Sequence, residues 1–197
     1  MEARELARVT AFTDAAVAIA LTLLVLPLVG VAHEAADTPI TALLHRHRDD
    51  LAAMLLSFFA VALFWRGHRQ LFERLERIDE VLLVLNICWL LGVVFLPVPT
   101  AVLTFESERN LDAALLYLGN LLYLSLLGLA LGIWIHFHPR LLRPGVDWQI
   151  NRLLIRSLMS ILVIGAAAVA AYLFGSVVVL LLLVLPLLHL TVERQRR

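Results

Sequence analysis

Five apolar stretches without a charged residue constrain this 197-residue chain more than any other feature. The first covers residues 15–32, and the longest covers residues 157–188, which are 32 consecutive uncharged residues. A helix needs about 20 apolar residues to cross the hydrocarbon core of a bilayer. A helix also satisfies its backbone hydrogen bonds within one segment, which lipid demands. The sequence therefore predicts an all-α membrane protein embedded in a lipid bilayer.

The longest stretch sets the number of spans. It is too long for one helix and just long enough for two, with a break expected at Phe174, Gly175 and Ser176. This gives six transmembrane helices in a single domain of residues 1–197, or five if the break is absent. The predicted helices cover about residues 10–31, 49–69, 80–104, 112–137, 152–172 and 174–191.

The arginines give the orientation. All sixteen basic residues are arginine, which is typical of a GC-rich bacterial genome, and their scattered positions argue against a nucleic-acid partner. With the N-terminus inside, only Arg46, Arg48 and Arg109 lie outside, so the positive-inside rule predicts that both termini are cytoplasmic. An even number of spans follows, which favours six. The cytoplasmic arginines are Arg4, Arg8, Arg66, Arg69, Arg74, Arg77, Arg140, Arg143, Arg152, Arg156, Arg194, Arg196 and Arg197.

Polar residues gather at the cytoplasmic end of the predicted bundle. Arg8 and Asp14 stand at the start of the first apolar stretch, where a carboxylate is costly without a partner. Trp65 and His68 are spaced i and i+3 and so share a helix face, and Asn86 lies slightly deeper. Two interpretations remain open: a buried cluster that fixes three helices together, or a group that shapes a pore entrance.

A stripe on the first helix is a second candidate. Ala15, Ile19, Thr22 and Leu26 follow the spacing i, i+4, i+7 and i+11, which places them on one face. Such a stripe is ordinary in a bundle core, and it also suits a pore lining because a hydrophobic constriction can gate a pore. The chain has no enzyme signature, no zinc-ligand spacing and no TVGYG filter. His45 and His47 could contact a metal, but no third ligand is close to them in sequence. No catalytic residue, metal or cofactor is therefore expected.

The motif R-x-x-x-F-[ST]-D, at Arg8, Phe12, Thr13 and Asp14, resembles the transmembrane protein 175 family of potassium channels. Thr13 replaces the family's serine and keeps its hydroxyl group. The similarity covers the first half of the chain and continues at further single positions. These are Ile19, Thr22, Pro27, Phe58, Trp65, His68, Asn86, Pro97 and Thr100.

The resemblance implies a six-helix subunit that assembles as a homotetramer in the plasma membrane of a bacterium, with K⁺ as the permeant ion. The four first helices would line the pore, with a hydrophobic constriction at Ile19, Leu23 and Leu26 and a polar layer at Thr22. Ala18 stands where the family has a pore serine, which leaves the degree of potassium selectivity open. The structural and gating network would comprise Arg8, Phe12, Thr13, Asp14, Trp65, His68 and Asn86.

Two alternatives to a channel remain. A proton-coupled transporter could use Asp14 and His68 as a proton relay, since ionisable groups inside a membrane often carry protons. It would show saturable, pH-driven uptake rather than a linear current. A membrane scaffold that conducts nothing would show no ion flux after reconstitution.

Overall fold

The chain forms a helical bundle. In this computed structural model the described residues are 3–31, 39–103, 111–146 and 150–174. Within them every named element is a helix, as the prediction of an all-α protein requires. The elements are α1 (Ala3–Leu23), α2 (Leu26–Val31), α3 (Ile40–Arg46), α4 (Arg48–Phe72), α5 (Glu80–Phe95), α6 (Pro97–Val102), α7 (Leu111–Phe137), a 3₁₀ turn (Pro139–Leu141) and α8 (Ile150–Phe174).

Four helical segments are long and apolar enough to cross a membrane. They are Arg4–Val31, Arg48–Phe72, Glu80–Val102 and Leu111–Phe137. These segments overlap the first four predicted spans, and α8 overlaps the fifth. The predicted sixth span, residues 174–191, lies outside the described residues apart from Phe174.

The first span differs from the single predicted helix of residues 10–31. It begins at Ala3, and it is divided at Leu24 and Val25 into α1 and α2. Pro27 explains the division, because it has no N–H to donate to the carbonyl four residues earlier. At the break the amide of Val25 bonds instead to the carbonyl of Thr22, three residues back, at 3.2 Å.

The third span is also divided, between α5 and α6, where Pro97 begins the second helix. A side chain of the neighbouring helix α7 provides a hydrogen bond to the backbone at this break. The amide of Leu96 bonds to Val93, three residues back, at 3.2 Å, rather than to the carbonyl of Gly92 four residues back. The buried side chain of Asn120 on α7 donates Nδ2–H to that Gly92 carbonyl at 3.0 Å. The bond from Asn120 thus joins α7 to α5 and satisfies a carbonyl group next to the proline break.

The α5–α7 contact at Gly92 leaves no room for a side chain. A Cβ atom at this position would lie 2.8 Å from ring carbon Cδ1 of Tyr123 and 2.8 Å from Cδ2 of Leu124. Replacing Gly92 by Ala should therefore lower the free energy of unfolding by about 1–3 kcal/mol, measured by thermal unfolding in detergent. Gly128→Ala on α7 is the matched control, since nothing lies within 4 Å of the point that its Cβ atom would occupy. Equal melting temperatures for the two variants would contradict this account of the packing.

The apolar core has two parts. The central part surrounds Trp89 and Tyr117, which are 1% and 0% exposed. The second part lies at the end of the bundle where α1 begins, which we call the N-terminal end of the bundle. Helix α4 ends there, α5 begins there and α7 ends there. This second part consists of Leu6, Leu71, Phe72, Leu75, Ile78, Leu82, Leu131, Ile135 and Leu141.

Candidate functional site

The first helix has one face packed against the bundle. Thr13, Val17, Ala20 and Leu24 are each 1–2% exposed, and they follow the spacing i, i+4, i+7 and i+11. This face contacts α4 and α5. The periodicity matches that of a helix with a single buried face, and within the described part of the chain the opposite face of α1 is not used for packing.

The opposite face carries the residues of the predicted stripe. Ala15, Ile19, Thr22 and Leu26 are all exposed, with 60% of Ile19 and 59% of Leu26 accessible. Leu23 is half-buried and lies at the edge of the stripe. The stripe is therefore apolar apart from one hydroxyl group and has no covering element among the described residues.

The Thr22 hydroxyl group has a defined direction. Its proton is donated to the carbonyl of Ile19 at 2.7 Å. A hydroxyl group has one donor and two acceptor lone pairs, so the oxygen of Thr22 remains an acceptor. An acceptor on the exposed face suits a cation rather than an anion.

A polar network joins α1 to α4 and α5. The indole Nε1–H of Trp65 donates to Oδ1 of Asp14 at 2.7 Å. Asn86 bridges the other members: its Nδ2–H donates to the Thr13 hydroxyl at 2.9 Å, and its Oδ1 lies 2.8 Å from Nε2 of His68. The structure thus brings together five of the seven residues predicted for the network.

The hydrogen-bond directions follow from the Thr13 end. The Thr13 hydroxyl donates to the carbonyl of Val9 at 2.9 Å, so it accepts from the Asn86 amide. The oxygen of Asn86 is then left to accept from Nε2–H of His68, which assigns the tautomer of that histidine. The His68 ring stacks between Phe72 and Trp89, with centroid distances of 4.1 and 4.2 Å. The directions of both hydrogen bonds of Asn86 are therefore assigned, and stacking holds the plane of the His68 ring.

Two predicted members lie elsewhere. Phe12 is 66% exposed. Arg8 is also exposed, and within the described part of the chain it takes no part in the hydrogen bonds of this network. A different arginine approaches the network: the guanidinium of Arg69 lies 5.5 Å from the centroid of the Trp65 ring, within cation–π range. Asp14 and His68 have separate partners and share no hydrogen bond.

The sequence interpretation missed a second polar group, deeper in the bundle. The hydroxyl groups of Ser57 and Thr100 lie 2.7 Å apart, and the Tyr117 hydroxyl lies 3.4 Å from Ser57. All three side chains are buried and join α4, α6 and α7. The available signal was the presence of hydroxyl residues inside three apolar runs, because such residues need partners in lipid.

Comparisons with known proteins identify the family. Residues 8–97, which begin at the first residue of the motif, match the family model of the "Endosomal/lysosomal potassium channel TMEM175". A Streptomyces collinus protein named as a potassium channel is 33% identical over 179 residues, which are 85% of this chain and 84% of that protein. A Danio rerio protein named "Endosomal/lysosomal proton channel TMEM175" is 30% identical over 151 residues, but this chain spans only 28% of its length.

The fold agrees with these relatives. The crystal structure of a "lysosomal potassium-selective channel TMEM175 homolog" from Chamaesiphon minutus superimposes with a TM-score of 0.75 over 94% of this chain and 98% of that chain, at 23% identity. The family is one of ion channels rather than of enzymes. The resemblance predicted from the motif is confirmed, and this chain belongs to the TMEM175 channel family.

Proposed function

We propose that this chain forms a potassium channel, as a homotetramer in which four copies of α1 line a central pore. The observation that carries the proposal is the exposed stripe at Ile19, Thr22 and Leu26, on a helix whose other face is packed. The Streptomyces relative is named as a potassium channel, and the Chamaesiphon homologue is described as potassium-selective.

A ring of subunits accounts for the stripe better than lipid does. The described residues of a single copy cover one face of α1 and leave the other exposed. Four copies around an axis would enclose the open faces and form a path of apolar layers at Ile19, Leu23 and Leu26. Narrow apolar layers gate pores by excluding water. Oxygens at Thr22 would then help to replace the hydration shell of a cation that passes.

The orientation belongs to the same proposal. We propose six spans with both termini in the cytoplasm of a bacterium, and insertion in its plasma membrane. The exposed arginines Arg69 and Arg77 and the exposed Arg140 and Arg143 lie at the end of the bundle where α1 begins. Arginine-rich connections remain on the cytoplasmic side, which supports this orientation.

Asp14 separates the channel from a proton-coupled transporter. If Asp14 only braces α1, Asp14→Asn keeps an oxygen to accept from Trp65, and potassium flux should stay within about twofold of the wild type, because a neutral acceptor costs little when geometry is kept. Asp14→Leu removes the acceptor and should reduce the yield of folded protein. A transporter that uses Asp14 would lose pH-driven uptake completely in Asp14→Asn. Flux from liposomes, measured with and without a pH gradient, distinguishes the two.

Proton flux should be recorded in the same liposomes. Relatives from Danio rerio and Homo sapiens are named as proton channels, although this chain spans only 28% and 29% of their lengths.

We expect potassium efflux into sodium buffer to exceed that from protein-free liposomes. Flux equal to that of protein-free liposomes would favour a scaffold that conducts nothing.

A further inference from the structure

Two loops at the N-terminal end of the bundle are joined by hydrogen bonds. The amide of Glu76 donates to the carbonyl of Leu141 at 2.8 Å, and the amide of Arg143 donates to the carbonyl of Arg74 at 3.0 Å. The side chain of Arg143 donates Nε–H to the carbonyl of Leu75 at 3.0 Å. The connection between α4 and α5 is therefore fixed to the segment that follows α7.

A carboxylate extends this joint into α5. Asp79 is the N-cap of α5, and its Oδ1 accepts from the amide of Leu82 at 2.9 Å. Its Oδ2 accepts from the indole Nε1–H of Trp134 on α7 at 3.0 Å. The Trp134 ring stacks on His138 with a centroid distance of 4.0 Å, and Nδ1 of His138 lies 2.9 Å from the Trp134 carbonyl. One charged group thus both starts α5 and holds it against α7.

The same helix leads to the network at the first helix. Asn86 lies seven residues after Asp79, which is two turns and about 10 Å along the axis. Leu82 and Asn86 are 0% and 1% exposed and share the buried face. No proline or glycine interrupts residues 80–86, so this segment moves as one piece. Its position decides where Asn86 meets Thr13 of α1.

We propose that Trp134 is a positioning residue for the pore helix. Through Asp79 it fixes the start of α5, and through Asn86 that position is passed to Thr13 and α1. Helix α7 is thereby connected to the element that lines the pore, so the joint biases the balance between open and closed channels. The inference rests on the proposed function, in which α1 lines the pore.

Trp134→Phe tests this role in planar bilayers. Phenylalanine keeps an aromatic ring to stack on His138 and removes the N–H group that Asp79 accepts. We expect the ratio of open to closed channels to change by about threefold or more, because a lost contact shifts a two-state equilibrium by its differential free energy. Single-channel conductance and the reversal potential should not change, because no residue of the stripe is altered.

Asp79→Asn removes the same hydrogen bond, between Trp134 and Asp79, by changing the acceptor instead of the donor. Asparagine caps a helix as well as aspartate does. With its oxygen on the Leu82 amide, its NH₂ group faces the indole N–H, so the bond to Trp134 is lost. The shift in open probability should equal that of Trp134→Phe, and the double variant should shift it no further.

Tyr123→Phe is the matched control, because it removes a different α7–α5 hydrogen bond, from the Tyr123 hydroxyl to the carbonyl of Cys88 at 2.9 Å. Its open probability should match the wild type. If Trp134→Phe and Asp79→Asn leave open probability unchanged, or reduce only the number of channels, the joint merely fastens the fold and the inference is wrong. A wild-type protein without current would overturn the proposed function itself.

Discussion

Replacing Ile19 by Asn should raise single-channel potassium conductance by roughly tenfold or more, since removing ~1.4 kcal/mol from a barrier gives a tenfold change in rate. Ile19 is 60% exposed and belongs to the stripe on α1. It lies about one turn before Thr22, which is close to the break between α1 and α2. In a tetramer the substitution replaces four apolar side chains of one layer by amides. Water and ions should then occupy the layer more easily. Bilayer recording of single channels measures the change.

Ile87→Asn is the control for this prediction. Ile87 lies on α5 and is 55% exposed, so the two positions have the same residue and nearly the same accessibility. Of these two residues only Ile19 lies on the proposed ion path, so conductance of the Ile87 variant should equal that of the wild type. Equal conductance in all three proteins would show that Ile19 is not the constriction.

Asn86→Leu should produce a large loss of stability. Asn86 is 1% exposed and makes two hydrogen bonds, to His68 and to the Thr13 hydroxyl. Leucine has a similar size and forms neither bond, and it leaves the Nε2–H of His68 without its acceptor. A buried group that loses its partner costs about 1–3 kcal/mol. The melting temperature in detergent should therefore fall by several degrees.

The double variant His68→Phe with Asn86→Leu checks the reason for that loss. It removes the stranded donor and keeps an aromatic ring between Phe72 and Trp89. Replacing both members of a buried polar pair by apolar groups is often nearly neutral, so part of the lost stability should return. A double variant that is as unstable as the sum of the two single variants would contradict the assigned bridge.

The location of the network was predictable from the sequence, but its pairing was not. The positions of Asp14, Trp65, His68 and Asn86 near the ends of apolar stretches placed them at one end of the bundle. Which side chains meet depends on the rotation of each helix about its axis. The sequence interpretation allowed an Asp14–His68 relay, whereas Asp14 accepts from Trp65 and His68 is directed to Asn86.

The helix periodicity also identified the stripe, because all four of its members are exposed. It did not identify the contacts between helices far apart in the sequence. The close approach at Gly92, the bond from Asn120 and the group around Ser57 depend on how α4, α5, α6 and α7 cross. The break after Leu23 also required more than the position of Pro27, since many helices bend at proline without ending.

The reversal potential of the purified protein in a bilayer, with K⁺ on one side and Na⁺ on the other, tests the central claim most directly. If the chain forms a potassium channel lined by α1, the current should reverse toward the potassium equilibrium potential. Adding Thr22→Ala should move that potential toward zero, because the variant removes the one oxygen-bearing side chain of the stripe. Wild-type protein that carries no current, or that reverses at zero millivolts, would contradict the account.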